Sequence, residues 1–321
     1  MTTLWNALPA LQGFFTIGVL IAVGWVLARV GVLTVEHRKM MSLLALYVAS
    51  PALMFVTMVN ADLKRVFALS VIGSYGAILG VALIYILATV LVFRHTLAER
   101  TIGTLLSCYS NAGNLGIPVA AYALGDITWV VPILLIQMVV LQPVGLGILD
   151  WCKARDSGVR PSALKLVTLP IRNPLTVGVL LGLVANLVHA CVPVFAIPDF
   201  VMYPVQMLGN VAVPMMLLAF GISMCLDPKP AKGSETTESW FVIVIKTIVQ
   251  PFIAYALTSW VLGLDTMTVR AVTVVACLPP AQNIFVFASK YDVRMVFARD
   301  TIFRATLVSV ITILIAATVL A

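Results

Sequence analysis

Of the 321 residues, 61% are hydrophobic and 10% charged, against roughly 25% charged side chains in an ordinary soluble domain. Twenty Lys+Arg and 13 Asp+Glu cannot wet the surface of a chain this long, which excludes the soluble-enzyme readings. The formal charge of +7 reads as a topology signal and not as a nucleic-acid footprint, because the basic residues are so unevenly distributed along the chain.

Uncharged runs of membrane-spanning length cover 1–28, 40–61, 66–93, 101–125, 127–149, 173–198, 200–226, 247–264, 271–289 and 305–321. Each is near or above the ~20 residues that carry a helix across a bilayer, and too long for a β-barrel strand. The expected fold is an all-α membrane protein with ten transmembrane helices. The first run lacks the basic start and small-residue cleavage site of a signal peptide and is read as a helix. The second carries Ser50-Pro51, read as a kink. The fourth contains Asn111, Gly113, Asn114, Gly116 and Pro118, and the fifth Gln137 and Gln142. A hydrophilic connection at about 150–172 and another at 227–240 are too short to fold as domains. The ninth run holds Pro279, Pro280, Gln282 and Asn283.

Sorting Lys and Arg by alternate connections leaves Lys64, Arg65 and Arg270 on one side and the other seventeen, Lys246 among them, on the opposite side. The positive-inside rule makes the heavy side cytoplasmic and, with ten crossings, places both termini outside the cytoplasm of an inner or plasma membrane. Five crossings precede the central connection and five follow it, so two similar halves would lie in opposite orientations. The halves are 1–150 and 173–321, with 151–172 as linker. Pro51 and Pro214 differ by 163 positions, Pro118 and Pro280 by 162, Pro9 and Pro174 by 165. An inverted 5+5 repeat with corresponding interrupted helices is the pattern of secondary transporters, whose site lies at mid-membrane where the broken helices meet.

Helices four and nine are the expected breaks. Pro118 supplies no N–H and crowds the Asn114 carbonyl, while Gly113 and Gly116 permit unwinding. Pro279 and Pro280 remove two further donors. Backbone groups freed at this depth must be met by protein, water or ligand. The half-helices that follow would direct positive partial charge into the gap, a field suited to an anion. Gln142 and Gln137 are candidate contacts from helix five; Asn60, Asn186 and Asn210 serve equally well as bonds between helices. All 13 acidic residues flank spans or lie in loops, which argues against an obligatory proton relay, and no Lys or Arg is expected at mid-depth. Sodium binding to carbonyls and amides stays open. The three histidines are scattered and make no metal site, the five cysteines have no metal or redox spacing, and no cofactor is called for. No nucleophile, base and orienting acid come together as an enzyme would need.

These residues resemble the auxin efflux carrier family, which includes bacterial malonate and malate carriers and plant auxin exporters, in the bile/arsenite/riboflavin transporter superfamily. The resemblance rests on Asn111 with Leu115-Gly116-Ile117-Pro118, on Gln137-Met138-Val139-Val140-Leu141-Gln142, on Ile171-Arg172-Asn173-Pro174, and on Leu278-Pro279 with Phe285-Val286-Phe287-Ala288-Ser289-Lys290-Tyr291. It implies a dimerising scaffold of helices one, two, six and seven, a mobile transport unit of helices three to five and eight to ten, and an elevator movement that carries carboxylates outward. It also implies that Asn111 and Gln142 are the substrate amides, with Pro118 and Pro279 at the crossing. The long cytoplasmic loop of the plant exporters is absent. The expected function is a carrier of a small organic carboxylate, auxin-like or malonate-like. The alternatives are a sodium-coupled symporter of larger organic anions and a membrane receptor or channel subunit.

Overall fold

A computed structural model of the chain describes residues 2–61, 69–157, 174–192, 197–226 and 236–320. Lys64, Arg65, most of the 150–172 connection, Ile171-Arg172-Asn173 and residues 227–235 lie outside these. The described regular structure is helical, and its sole β-type pairing is an isolated antiparallel bridge between Ser110 and Pro280.

In chain order the helices are α1 (Thr2–Arg29), α2 (Val35–Val59), α3 (Ser70–Phe93), α4a (Leu97–Cys108), α4b (Ala112–Leu124), α5 (Ile127–Arg155), α6 (Pro174–Cys191), α7 (Asp199–Leu226), α8 (Thr236–Val261), α9a (Thr266–Ala276), α9b (Asn283–Tyr291) and α10 (Met295–Val319). Seven of these, α2, α3, α5, α6, α7, α8 and α10, are long and apolar enough to cross a membrane in one piece. The expected ten differ from seven in part because helices four and nine are each divided into pieces shorter than a span. α1 is itself 28 residues long, and Phe15–Arg29 within it is apolar.

Helix starts follow local chemistry. Thr96 and Glu99 form a reciprocal capping box at α4a, Asp126 accepts from the Thr128 N–H before α5 (2.9 Å), and Asp265 does the same for Thr268 before α9a (3.0 Å). The Thr268 hydroxyl and N–H hold the Asp265 carboxyl below the ordinary aspartate range, so the cap stays ionised.

Helices α1 and α7 pack together, as do α2 and α6; α3 packs against α8, α4a and α9a, and α8 also meets α10. Glycines allow the closest approaches. A Cβ on Gly24 would stand 2.3 Å from the Leu218 carbonyl oxygen and one on Gly221 2.1 Å from that of Ile21, so α1 and α7 touch backbone to backbone. Gly178 and Gly182, four residues apart on α6, do the same against Pro51 and Phe55 of α2, the small-residue contact by which helices associate in lipid. Large apolar side chains cover the outer surface; Leu79, Leu83 and Leu87, one stripe of α3, are 58, 57 and 50% exposed. Water would not tolerate that surface, and a bilayer covers it.

Candidate functional site

The two breaks meet. α4a ends at Cys108 with the Tyr109 N–H still bonded to the Leu105 carbonyl, after which the chain runs extended through Ser110. α9a ends at Ala276, and Leu278-Pro279-Pro280-Ala281 continues without helix, since neither proline has an N–H to give and a residue before proline disfavours the helical region. The two extended segments cross in opposite directions. The Asn111 N–H donates to the Pro279 carbonyl (2.7 Å) and the Ala281 N–H to the Tyr109 carbonyl (3.0 Å). Backbone groups freed by one break are therefore met by the other, which removes a cost of several kcal/mol per unmet group in hydrocarbon.

The position of the first break differs from expectation. Gly113, Gly116 and Pro118 lie beyond it, in α4b, which restarts at Ala112 as a wide π-turn (Ala112–Gly116). The wide turn places the Asn111 carbonyl opposite both the Leu115 and Gly116 N–H groups, and Pro118, buried, sits in the next turn. Gly116 matters for a different reason: a Cβ there would stand 2.8 Å from Leu278 Cδ1, so its absence lets α4b close against the other crossing strand.

Asn111, Pro279 and Pro280 are in the crossing itself, all buried. Gly113 and Asn114 open α4b, and Asn283 opens α9b, with Gln282 just ahead of it; Asn114 and Asn283 are exposed and Gln282 and Gly113 partly so. The N–H groups that open a helix have no acceptor within it. Tyr109, which sequence reasoning passed over, joins three elements: its hydroxyl donates to Gln142 Oε1 of α5 (3.2 Å), and the Asn283 side chain stands beside the same hydroxyl. Gln137 is buried with its Nε2 unpartnered, and no hydrogen bond ties it to the crossing. Asn60 and Asn186 are occupied elsewhere. Asn60 Nδ2 donates to the Val56 carbonyl (2.8 Å), while Asn186 Nδ2 reaches the carbonyls of Met58, Val59 and Ala61, each at 2.9 Å, closing the end of α2.

Lys246 overturns the expectation that no basic side chain lies at mid-depth. The sequence reading began the eighth span after it; in the structure α8 runs from Thr236 to Val261 straight through it. Lys246 stands two to three residues from the middle of this 26-residue helix, about 4 Å along its axis. Lys246 is fully buried, and its Nζ donates to Ser110 Oγ of the crossing and to Gln250 Oε1, each at 2.6 Å. Among the described residues no carboxylate is bonded to it; Cys108 and Cys277, the residues next to the two crossing segments, are both buried. Gln250 is also fully buried, with its Nε2 unpartnered. The signal available in sequence was Gln250 one helical turn after Lys246 inside a stretch, Trp240 to Phe252, that is apolar apart from Thr247.

A second buried polar cluster closes one end of the same helices. Arg294 grips Glu238 with both terminal nitrogens (2.7 and 2.8 Å), His95 Nε2 lies 2.8 Å from Glu238 Oε2, and the Tyr85 hydroxyl donates to Glu238. Glu238 and His95 are thus structural partners, where the sequence shows only an acid outside the spans and one of three scattered histidines. Among the described residues no three or more His, Cys, Asp and Glu side chains gather as a metal site.

The chain matches the family model described as membrane transport protein over residues 10–317. It is 26% identical over 304 residues to a Rhizobium meliloti protein named "Putative malonate transporter", covering 92% of this chain and 90% of that one. A similar relative is an uncharacterized transporter of Methanocaldococcus jannaschii, 24% identical over 92% of this chain and 94% of its own. Auxin efflux carrier component 7 of Arabidopsis thaliana is 30% identical over 123 residues, 38% of this chain and 19% of the plant protein.

Proposed function

The chain belongs to the membrane transport protein family, a family of transporters and not of enzymes, and from that premise we propose that it is a secondary carrier of small organic carboxylates. The reading takes the ten apolar segments as ten spans in a 5+5 inverted repeat, with both termini outside the cytoplasm. Helices α1, α2, α6 and α7 form the scaffold and dimer contact, and the remaining helices form a transport unit that moves as an elevator. Efflux is the direction carried over from the auxin carriers, and the substrate class, auxin-like or malonate-like, comes from the names of the relatives.

One observation carries the proposal: two broken helices hydrogen-bonded to each other deep in the fold, with Lys246 held beneath them. A carboxylate placed there meets Asn111, the N-terminal ends of α4b and α9b, and the amides of Gln142 and Asn283 around Tyr109, beside a buried amine. The same geometry weakens the sodium-coupled alternative, because Ser110 Oγ and Gln250 Oε1, oxygens suited to a small cation, already accept from Lys246.

The test is a thermal-shift screen of purified protein over mono- and dicarboxylates, followed by counterflow in proteoliposomes. A ligand at 100 times its Kd adds about 2.7 kcal/mol of stability, a readily measured shift. Binding together with counterflow of the same anion supports the carrier. Binding without counterflow refutes it in favour of a receptor or channel subunit, and counterflow that stops when sodium is withdrawn restores the symporter.

A further inference from the structure

Helices α8 and α10 are joined near their starts through Ser239, whose buried hydroxyl oxygen accepts from the Thr301 hydroxyl (3.0 Å) and from Arg304 Nη1 (3.3 Å). Beyond that junction each helix turns an apolar stripe outward. Trp240, Val244 and Ile248 are exposed on α8, and Leu307, Ile311 and Ile315 on α10. Steps of four keep side chains on one helix face, so two apolar rails lead away from the same polar junction.

The charges stop where the rails begin. Arg304 is the tenth residue of α10, and no residue after it carries a charged side chain. Among the basic side chains of the described residues, only the buried Lys246 stands farther from a helix end; Arg304 is partly exposed. Arg299, five positions earlier and also partly exposed, donates from Nε to Asp300 Oδ1 (2.8 Å). Two guanidinium groups therefore accompany one carboxylate, leaving one surplus positive charge beside Trp240, a side-chain type that settles at the headgroup level of a bilayer.

We propose that this junction holds the phosphate of an anionic phospholipid of the cytoplasmic leaflet, with Arg304 as its principal contact and the acyl chains lying along the rails of α8 and α10. Charge complementarity selects the lipid class. A guanidinium fork matches phosphate oxygens in geometry as well as in charge, and a zwitterionic headgroup brings its own cation, which the surplus charge repels. Ser239 already orders the Arg304 side chain from the α8 side, so binding the phosphate costs little further side-chain entropy.

One basic residue beside an anionic lipid is worth about fivefold in binding. The experiment uses the full chain in nanodiscs of phosphatidylcholine and phosphatidylglycerol with identical acyl chains. Native mass spectrometry reads the most tightly retained lipid, and a photoactivatable phosphatidylglycerol maps the peptides it touches. The wild type is expected to retain phosphatidylglycerol about fivefold over phosphatidylcholine, with label on α8 and α10. Arg304→Gln should bring the ratio to about one and Arg304→Lys should keep most of it. Arg155→Gln, which removes an exposed arginine at the end of α5, should leave it unchanged.

A ratio that survives Arg304→Gln overturns the proposal, as does a loss equally large in Arg155→Gln, which would mean general attraction to a basic surface. Label confined to helices other than α8 and α10 in the wild type also overturns it, and that measurement decides the matter even if the Arg304 variants fail to fold.

Discussion

Ser110→Ala tests the connection between α8 and the crossing. The substitution deletes one oxygen and leaves the backbone pairings of Asn111 with Pro279 and of Ala281 with Tyr109 intact, so the crossing keeps its shape. What it removes is one of the two acceptors of Lys246 Nζ, both at 2.6 Å. Leaving a buried donor unmatched costs about 1–3 kcal/mol. Ser110→Ala should therefore lower stability by about 2 kcal/mol. In a Lys246→Met background no amine remains to be satisfied, and the same change should cost less than about 0.5 kcal/mol, giving a coupling energy of about 1.5 kcal/mol or more. Thermal melts of the four proteins in one detergent measure this cycle. Additive effects would refute the argument, since they would mean that the Lys246 amine does not depend on Ser110.

Asn111→Ala should weaken carboxylate binding roughly ten- to hundredfold, the value of a hydrogen bond to a charged ligand, whereas Asn60→Ala should leave binding unchanged, because its amide is engaged by Val56; titration by thermal shift compares them, and equal losses would undo the site assignment. Tyr109→Phe removes a neutral bond to Gln142 at 3.2 Å and should raise the counterflow KM about two- to tenfold with little change in melting. Glu238→Ala strands Arg294, both buried, and should cost about 3–5 kcal/mol, with part recovered by adding Arg294→Met; melting of the single and double variants reads this out. Gly24→Val and Gly221→Val force a side chain into carbonyl oxygens at 2.3 and 2.1 Å and should abolish folded protein on size-exclusion chromatography. Gly18→Ala, with nothing within 4 Å of its Cβ, should elute like the wild type.

Hydrophobic length made the membrane character legible, and the prolines at 279 and 280 marked the second interruption almost to the residue, because a missing donor is written in the sequence. The first interruption was less legible. It falls at Tyr109–Asn111, where no proline stands, and it is held open by a partner strand about 170 positions away, a long-range pairing that local propensity does not contain. The glycines and Pro118 that drew attention lie past it, absorbed by a π-turn. Lys246 escapes a sequence reading in which a charge marks the edge of a span; that inference fails where the crossing segment and the next turn of the same helix supply acceptors. Tyr109 was missed because an aromatic in an apolar run looks like packing, and only the fold brings Gln142 and Asn283 to its hydroxyl. Glu238 and Arg294, 56 positions apart, show the same limit: each looks solvated until helix packing joins them.

The reciprocal backbone bonds at the crossing act as a yoke. Asn111 holds Pro279 and Ala281 holds Tyr109, so the strand from one half cannot slide along the strand from the other without leaving two amides unmatched in hydrocarbon. Whatever displacement delivers a solute across the bilayer must therefore carry both strands as one body. Slippage is then confined to seams such as that of α1 and α7 against α4b, where side chains meet without a shared ladder.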